Sequence, residues 1–568
     1  MMFDKAIRKV NQALRPHERA CAATSEKFEV GARDIDFYQR FKIPPPHWSP
    51  IARRARRMAV TNFNRFHRRK CDATGKEIIS QYSQTNPHKI FDNDYWWSDK
   101  WDAIDYGRSY DLTRPFFDQL RELRLAVPRA ALNRDSSNVN SDYVIGGTSM
   151  KNCYFVFGGR SGENCLYIDV IIDSKNCIDS AFVRVSEYCY ENVMPLRNAR
   201  CFFSTESMNC LESYFLFDCR SCTSCFLCTN LRNKKYCFDN EQLSKADYEA
   251  RMRSIDLGDW RVLEDYKQKF QELRRKNLVR ATNNVNVDDG VGDDLVDCSR
   301  CFDAFQFKQS ENIMHSAAGA EAKDVIDGWG ISQSERIADS IRIYGSFDVK
   351  FGSHLRNCLD VEYSDDCYNC EHIFACQGLR YKKYCIFNKQ YSKSEYEDLV
   401  DRIKTKMLEA GEYGEFPPMS MSPVPYQDSY AYYAREQQGL FPLEEAMRLG
   451  AWTEPEEPPQ TKPDMRADEL PDHIKDASDD LVGKIVVSSG DKRPYRIIKQ
   501  ELAFYRQWNL PIPRENYYER AARRARDLRA WRGYTRACSL CGKMTYTGLR
   551  PDYPGRLACD SCYENQVG

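Results

Sequence analysis

Four cysteines near the carboxyl end of the chain have the spacing of a metal site. Cys538 and Cys541 form one Cys-x2-Cys pair, and Cys559 and Cys562 form a second pair further along the chain. Two such pairs can place four thiolates tetrahedrally around one zinc ion, and Gly542 permits the tight turn after the first pair. Because four thiolates leave no position for water, we expect one structural Zn²⁺ that folds this segment and performs no chemistry.

A second cysteine-dense run lies in the middle of the chain. Its spacing of three residues is superficially that of iron–sulfur ligation, so a second metal site is one interpretation. The other interpretation, which we favour, is a row of buried apolar thiols belonging to a longer cysteine repeat. The run consists of Cys219, Cys222, Cys225 and Cys228.

Two stretches concentrate positive charge in a chain whose net charge is zero. Residues 53–70 contain eight basic residues and no acidic one, and residues 514–536 contain eight arginines against three carboxylates. Arginines at helical spacing beside a zinc ribbon, with aromatic rings that can stack on bases, fit phosphate-backbone binding. The alternative is a solvated basic helix that pairs with the acidic linkers of the chain, or arginine side chains that structure their own module. The candidate nucleic-acid-binding residues are Arg53, Arg56, Arg57, Arg65, Arg69, Arg520, Arg523, Arg524, Trp531, Arg532 and Arg536.

The residues that could support catalysis are fewer. The 8 histidines are scattered, and no Gly-Lys-Ser or Gly-Lys-Thr phosphate loop is present. Asp365 and Asp366, or Asp327, could line a groove with His315 or His354, as carboxylates do in glycoside-cleaving β-helices. We expect no catalytic residues, and a β-helix enzyme acting on carbohydrate or acyl groups is an alternative.

Composition limits where the protein works. The 568 residues include 83 Lys and Arg, 83 Asp and Glu, and 24 Cys, and this balance excludes a uniformly basic nucleic-acid binder. No apolar run approaches the ~18 residues of a membrane span, and the first residues have no secretion-signal core. We therefore expect a cytoplasmic protein without membrane association, whose cysteines are reduced thiols and metal ligands.

The elements that must position these residues come from two internal duplications. The central duplication aligns residues 149–253 with 297–401 without a gap and superimposes the Lys-Lys-Tyr-Cys ends of both copies. The terminal duplication aligns residue 37 with residue 504 and superimposes the Phe-Tyr pairs, proline turns and arginines of the two ends. In the N-terminal copy only Cys71 survives. Thr74 takes the second ligand position, and Phe91 and Asp94 match the second pair after a shift of one residue, so we predict that this copy has lost its metal.

Within the first central copy, cysteines recur at one regular spacing from Cys153 to Cys201 and then at a shorter regular spacing from Cys210 to Cys237. The second copy replaces several of them by Ile or Val, which indicates inward positions, one for each short strand. An asparagine precedes several of these cysteines, as Asn152 does, which is typical of a turn or asparagine stack. This pattern predicts a parallel β-solenoid, and a meandering antiparallel sheet is the alternative.

The predicted fold is mainly β with helical caps, in which two duplicated parallel β-solenoid blocks are flanked by two related zinc-ribbon-like modules. The predicted segments are 1–27 (N-terminal amphipathic helix), 28–97 (degenerate zinc-ribbon-like module with an Arg-rich helix), 98–148 (connector), 149–253 (first solenoid copy), 254–296 (helical linker), 297–401 (second solenoid copy), 402–483 (Pro-rich, acidic linker) and 484–568 (Arg-rich helix and four-cysteine zinc ribbon).

The order of these features resembles uncharacterised multi-cysteine zinc-ribbon proteins of small-genome bacteria. The resemblance rests on Phe-Tyr, Leu-Pro-Ile-Pro, the Arg-rich helix, Cys-x2-Cys-Gly-Lys, the final Cys-x2-Cys and the Asn-Cys repeat ending in Lys-Lys-Tyr-Cys. That family often has a further Cys-x2-Cys-Arg after the proline turn. Here Glu515 and Tyr518, and Trp48 and Ile51, are aligned with it. The resemblance implies the architecture and no established activity.

These observations predict a non-catalytic, zinc-binding scaffold. We expect the Arg-rich end modules to bind nucleic acid, with RNA in a ribonucleoprotein as the favoured ligand, and the solenoid surface to bind a protein partner. A protein–protein scaffold that binds no nucleic acid is the first alternative, and the β-helix enzyme is the second.

Overall fold

The computed structural model describes residues 1–455 and 462–567. This part of the chain is mixed and strand-rich, with two large parallel sheets and helices outside them. The antiparallel meander is wrong for both large sheets, because their successive strands pair in parallel. None of the described helices is long and apolar enough to span a membrane.

Residues 1–130 form a helical module with two short antiparallel hairpins and one parallel pair of two-residue strands. Pro50 begins the third helix, at a position where no backbone N–H is needed. The elements are α1 (Met2–Gln12), β1 (His17–Ala20), β2 (Lys27–Val30), α2 (Ala32–Phe41), α3 (Pro50–Met58), β3 (His67–Lys70), β4 (Glu77–Ser80), β5 (Ile90–Phe91), α4 (Asn93–Trp97), α5 (Phe116–Ala126) and β6 (Arg129–Ala130).

The first parallel sheet follows, and after a register shift in its first strand its parallel strands pair at a constant offset, as Cys189 pairs with Cys201. An antiparallel pair, β15 with β16, ends the sheet. The strands are β7 (Tyr143–Thr148), β8 (Tyr154–Glu163), β9 (Leu166–Lys175), β10 (Ile178–Arg184), β11 (Glu187–Tyr190), β12 (Ala199–Phe202), β13 (Leu211–Phe217), β14 (Phe226–Thr229), β15 (Cys237–Phe238) and β16 (Glu241–Gln242). Two helices and a strand then lead to the second sheet: α6 (Lys245–Arg253), α7 (Trp260–Lys276) and β17 (Leu278–Arg280).

The second parallel sheet repeats the same offset, as Val325 pairs with Ile337 and Ile337 with Val349. Its strands are β18 (Val285–Asp288), β19 (Val291–Lys308), β20 (Glu311–Met314), β21 (Ala317–Ala320), β22 (Lys323–Ser332), β23 (Glu335–Tyr344), β24 (Phe347–Lys350), β25 (Ser353–Arg356), β26 (Leu359–Glu362), β27 (Glu371–Phe374), β28 (Lys383–Ile386) and β29 (Lys389–Gln390). Strands β19, β20, β22 and β21 form a closed ring of four parallel strands.

The last part of the chain returns to helices and short hairpins. Its β35 pairs in parallel with β17, as β5 pairs with β6 in the first module. The elements are α8 (Lys393–Glu409), α9 (Tyr430–Tyr433), α10 (Arg435–Gln438), α11 (Leu443–Arg448), β30 (Met465–Arg466), β31 (Ile485–Val487), β32 (Pro494–Arg496), α12 (Lys499–Gln507), α13 (Tyr517–Ala525), β33 (Tyr534–Ala537), β34 (Met544–Thr547), β35 (Arg556–Ala558) and α14 (Asp560–Val567).

In the first sheet, almost every third residue has the left-handed backbone conformation. These residues turn the chain between successive paired positions. Asparagine tolerates this conformation well, and the predicted stack is present: Asn152 Nδ2 donates to Asn164 Oδ1 at 3.0 Å. The shorter ladder predicted from Cys210 onward is wrong, because Leu216 pairs with Cys228 at the constant offset of the sheet. The spacing between successive cysteines of this ladder is three residues, or one side of the repeat, shorter than that offset. Cys210 therefore contacts the Cys219 carbonyl from the adjoining side.

The inward positions of the two sheets are filled by the residues that the repeat predicted. Cys165 and Cys177 are fully buried, and so are Ile337 and Val349 in the second sheet. The Cys165 thiol donates to the Glu163 carbonyl at 3.2 Å. A buried thiol here is therefore a small apolar side chain whose weak donor is satisfied locally.

The duplicated parts are interleaved along the chain. Helix α3 of the N-terminal module packs on β22 and β23 of the second sheet, whereas α13 of the C-terminal module packs on β10 of the first sheet. The two connecting helices follow the same rule. Phe116 of α5 contacts Phe374 of the second sheet, and Phe270 of α7 contacts Phe215 of the first sheet.

Within the predicted Pro-rich, acidic linker 402–483, the proline-rich segment 417–425 is packed against the rest of the protein. Met419 and Val424 are buried, and the Ser422 hydroxyl donates to the Ala59 carbonyl at 2.8 Å. The acidic, Pro-rich stretch 454–471 lies partly outside the described residues.

One partly buried histidine joins the N-terminal module to the second sheet. His315 Nε2 lies 2.9 Å from a carboxylate oxygen of Asp34 on α2, and its Nδ1 lies 2.9 Å from one of Asp303 on β19. Burial lowers the pKa of His315, but hydrogen bonds and charge from Asp303 and Asp34 outweigh it and raise that pKa to about 9. The histidine is therefore a cation in the neutral pH range.

This ion triad predicts a pH-dependent contribution to stability. Since the folded pKa lies above the ordinary value of 6.5, the contribution is complete below about pH 6.5 and is lost as pH rises through about 9. We expect His315→Gln to lower the free energy of unfolding by about 3 kcal/mol at pH 6, and by progressively less between pH 7 and 10. Urea titrations across this range measure the difference, with the exposed His17→Gln as control. A deficit that does not change with pH would contradict the assignment.

Candidate functional site

The four C-terminal cysteines converge as their spacing predicted. Cys538 and Cys541 lie in the turn between β33 and β34, and Cys559 and Cys562 lie at the start of α14. Their sulfurs are all within 4.8 Å of one another, and the Cys541 and Cys559 sulfurs are 3.8 Å apart. Thiolates bound tetrahedrally at ~2.3 Å from one zinc ion would also be about 3.8 Å apart. This group can hold a metal ion such as Zn²⁺.

The backbone around Cys538 favours the thiolate form of that residue. The Cys559 N–H points to the Cys538 sulfur at 3.4 Å. Burial raises the pKa of Cys538, but the N–H groups of Cys559, Cys541 and Leu540 outweigh it and lower that pKa to about 6. An anionic sulfur is the form that binds a metal ion.

The N-terminal copy has the same backbone with different side chains. The Asp92 N–H points to the Cys71 sulfur at 3.2 Å, so Asp92 occupies the position of Cys559. Tyr95 then occupies the position of Cys562. The predicted one-residue shift to Phe91 and Asp94 is wrong, because the terminal duplication continues through this segment without a gap.

The central run of cysteines lines the interior of one repeat. Since they are three residues apart, Cys219, Cys222, Cys225 and Cys228 lie on successive sides, and all four are fully buried. Each thiol donates to the carbonyl two residues before it, as Cys228 does to Phe226 at 3.2 Å. They are not among the groups in residues 1–455 and 462–567 that can hold a metal ion. The contacts of these thiols match the buried-thiol interpretation.

The arginines of α3 point into the protein. Arg53 donates to Asp327 from Nε at 2.9 Å and from Nη2 at 2.7 Å. Arg57 contacts Asp327 at 3.4 Å and Asp339 at 2.5 Å, and its side chain is 0% exposed. Arg56 is also buried and contacts Asp339 at 3.3 Å. The carboxylates of the second sheet therefore occupy the donors that phosphate would need.

The arginines of α13 make equivalent contacts with the first sheet. Arg520 contacts Asp179 at 3.0 Å, and Arg524 contacts the same carboxylate at 3.3 Å. Arg523 contacts Glu191 at 2.8 Å and is more exposed. The terminal duplication aligns these arginines with those of α3, and the central duplication aligns their carboxylates with those that α3 contacts. The two duplications thus meet in one repeated set of ion pairs.

The remaining candidates are divided between internal and exposed positions. Arg65 lies over the Tyr518 ring at 4.6 Å and links the two end modules. Arg69 is buried and contacts Asp72 at 2.8 Å. Trp531 is buried beside Tyr430, Arg536 donates to the backbone of Arg550, and Arg532 is exposed. The structure does not bring these residues together into one exposed basic surface.

Sequence reasoning missed the acidic partners of these arginines. Asp179 and Asp327 stand at equivalent positions of the two central copies, as do Glu191 and Asp339. The available signal was an acidic residue at the same position of both copies, in a part of the repeat that is otherwise rich in apolar residues. A further buried pair, Arg529 with Glu206 at 2.8 Å, carries no such signal because it is not duplicated.

The candidate catalytic groups are also occupied by structural contacts. His354 Nδ1 lies 3.2 Å from an oxygen of Asp365, and with Asp366 these residues form the other group that can hold a metal ion in the described part of the chain. Arg129 contacts both carboxylates, at 2.8 Å and 2.9 Å. Its charge neutralises the pair and opposes cation binding there. Asp327 and His315 are occupied by the ion pairs described above.

Comparison with known proteins adds no relative: no family model matches the chain, and no curated protein matches it significantly.

The buried pairs predict a large effect of a single arginine. We expect Arg57→Ala to lower the free energy of unfolding by about 3 kcal/mol or more, because it leaves Asp327 and Asp339 buried with less compensation. Arg524→Ala should have a similar effect on the first sheet. Chemical denaturation measures both. The exposed Arg68→Ala is the control and should change stability by less than about 0.5 kcal/mol. A loss below about 1 kcal/mol for Arg57→Ala would contradict the structural role.

Proposed function

We propose that this protein is a non-catalytic scaffold, stabilised by one structural zinc ion, whose two parallel sheets are β-solenoid blocks that bind protein partners. The observation that carries the proposal is the burial of the arginines of α3 and α13 against sheet carboxylates. Their charge is used within the molecule to attach the end modules to the sheets. The proposal therefore adopts the scaffold without nucleic acid in place of the ribonucleoprotein.

The assignment of zinc is supported by the type and arrangement of the ligands. Four sulfur donors at tetrahedral spacing select zinc over magnesium or calcium, which prefer oxygen. All four coordination positions are filled by protein, as in structural centres. Bound zinc would link the β33–β34 turn to the start of α14. We also propose that the chain belongs to the multi-cysteine zinc-ribbon proteins that it resembles.

A partner surface is supported by exposed apolar residues on the second sheet. Phe347 and Leu359 are adjacent in register and are 40% and 38% exposed. Tyr344 and Tyr381 lie near the same corner of the repeats and are 37% and 78% exposed. Glu371 and Lys383 continue the column of Phe347 and carry charge. Aromatic and aliphatic side chains with charged neighbours are typical of a protein-binding surface.

The zinc assignment predicts one ion per chain. Elemental analysis of the full-length protein, purified under reducing conditions, should find one equivalent of zinc. Cys559→Ser should reduce it to a small fraction and lower the stability of the C-terminal module, because three ligands remain. Cys225→Ser is the matched control and should retain the zinc. A wild-type protein that is folded and free of zinc would contradict the assignment.

The choice between scaffold and RNA binder can be tested directly. We expect binding to labelled single-stranded RNA and duplex DNA no tighter than ~10⁻⁴ M at physiological salt, the weak end of non-specific association. Tight binding that falls steeply with salt and is lost on replacing the exposed Arg68 and Arg532 by Ala would instead establish the nucleic-acid function.

For the scaffold, Phe347→Ser with Leu359→Ser should remove a partner that wild type captures from cell extract. Equal capture by both would reject this surface.

A further inference from the structure

The four-cysteine site has a characteristic set of backbone hydrogen bonds. The Cys538 N–H donates to the Lys543 carbonyl at 2.9 Å, and the Ser539 N–H donates to the Leu557 carbonyl at 2.7 Å. The Cys559 N–H points to the Cys538 sulfur at 3.4 Å. The fourth residue after Cys538 is left-handed, with φ of 75°. Together these contacts fix a hairpin turn against the start of a helix.

The same set surrounds Cys71. Its N–H donates to the Lys76 carbonyl at 2.8 Å, and the next N–H, of Asp72, donates to the Ile90 carbonyl at 2.9 Å. The Asp92 N–H points to the sulfur at 3.2 Å, and Gly75 is left-handed.

A third set surrounds Cys21. The Cys21 N–H donates to the Glu26 carbonyl at 2.8 Å, and the Ala22 N–H donates to the His47 carbonyl at 3.0 Å. The Ser49 N–H, at the start of α3, points to the Cys21 sulfur at 3.2 Å. Ser25 is left-handed, with φ of 62°.

A fourth set surrounds Ser488, which the terminal duplication aligns with Cys21. The Ser488 N–H donates to the Arg493 carbonyl at 3.1 Å, and the Ser489 N–H donates to the Arg514 carbonyl at 3.0 Å. The Asn516 N–H, at the start of α13, donates to the Ser488 hydroxyl at 3.1 Å. Lys492 is left-handed, with φ of 63°.

The positions that correspond to the four thiolates can therefore be read off each unit. These positions also correct the alignment of the additional Cys-x2-Cys-Arg motif. Its two cysteines fall on Ser49 and Ala52 in one unit and on Asn516 and Glu519 in the other, one residue after the predicted places. The four sets are Cys538, Cys541, Cys559 and Cys562; Cys71, Thr74, Asp92 and Tyr95; Cys21, Thr24, Ser49 and Ala52; and Ser488, Asp491, Asn516 and Glu519.

In the Ser488 unit the four side chains bond to one another where an ion would bind. The Asn516 amide donates to Asp491 at 2.6 Å, and the Ser488 hydroxyl donates to Glu519. The Asp491 N–H donates to the same Glu519 carboxylate at 2.7 Å. Gly490 leaves room for that carboxylate, because a Cβ there would lie 1.8 Å from its oxygen. These bonds link the hairpin to the helix, as a metal ion does in a zinc ribbon.

We propose that the chain contains four copies of one metal-centre unit, and that in three of them hydrogen bonds and packing have replaced the ion. Two of the three units place α3 and α13, so they orient the arginines that hold the sheets. The backbone of these units still has the shape that surrounds a four-thiolate ion. Restoring the missing cysteines should therefore restore metal binding. The inference rests on the proposed zinc site of the Cys538 unit only for its reference geometry.

The Cys21 unit allows the most conservative test. In the full-length protein, Thr24→Cys, Ser49→Cys and Ala52→Cys together add three thiols to the native Cys21. We expect zinc content to rise by one ion per chain relative to wild type, and the absorbance of thiolate-bound cobalt to rise in proportion. The control places the three cysteines at the exposed Ala22, Glu26 and Lys27 and should add no ion. The increment tests this inference, whereas the wild-type content tests the zinc assignment itself.

A folded triple variant with no additional ion would overturn the proposal. If that variant does not fold, Ser488→Cys, Asp491→Cys, Asn516→Cys and Glu519→Cys together decide the question by the same readout. Failure of both variants to fold would also count against it, because the units would then not accept thiolates. The reciprocal exchange, Cys538→Ser, Leu540→Gly, Cys541→Asp, Cys559→Asn and Cys562→Glu, should give a zinc-free chain that remains folded, with Leu540→Gly supplying the room that Gly490 gives the Glu519 carboxylate.

Discussion

Buried guanidinium–carboxylate pairs hold this molecule together. Removing an arginine and an aspartate from water is unfavourable by several kcal/mol per charge, and only close, hydrogen-bonded pairing offsets it. Arg53 and Arg57 satisfy this condition with Asp327 and Asp339, and their side chains are nearly inaccessible to water. The geometry tolerates little displacement, because a shifted helix would leave charges buried without partners. The position of each end module on its sheet is therefore specified by charge as well as by apolar packing.

The same arrangement occurs twice, and each occurrence explains the other. Asp34 reaches His315 in one half, and Glu501 reaches the Tyr167 hydroxyl at 3.2 Å in the other. The terminal duplication aligns Asp34 with Glu501, and the central duplication aligns Tyr167 with His315. The two contacts are therefore equivalent. A change from His to Tyr replaces an ion pair by a hydrogen bond from an uncharged hydroxyl while the backbone arrangement is kept. The duplicated unit is thus a module together with the sheet on which it packs.

Much of this organisation was predictable from the sequence because repeats and metal spacing are local patterns. The spacing of Cys538 to Cys562 predicted the converging sulfurs, and the exchange of cysteines for Ile and Val predicted the inward column of each sheet. The burial of Arg53 and Arg520 was not predictable from composition, since a basic amphipathic helix has the same pattern whether it faces phosphate or carboxylate. The prediction of a shorter strand period from Cys210 onward failed because cysteines fill several sides of each repeat, and not only the equivalent positions of successive repeats. The Ser488 unit was missed because none of its ligand positions retains a cysteine.

The interleaving of the halves has a consequence for how the chain is made. Arg53 leaves the ribosome 274 residues before its partner Asp327, and Asp179 leaves 341 residues before Arg520. At ~5–20 residues per second, these intervals are on the order of tens of seconds. During that time the carboxylates of the first sheet lack the arginines of α13, and Phe155, Phe157 and Tyr167 are not yet covered by Tyr517 of that helix. Because synthesis proceeds from the N-terminus, the first sheet stays incompletely covered until the last segment of the chain emerges. A nascent chain in this state is of the kind that holding chaperones bind.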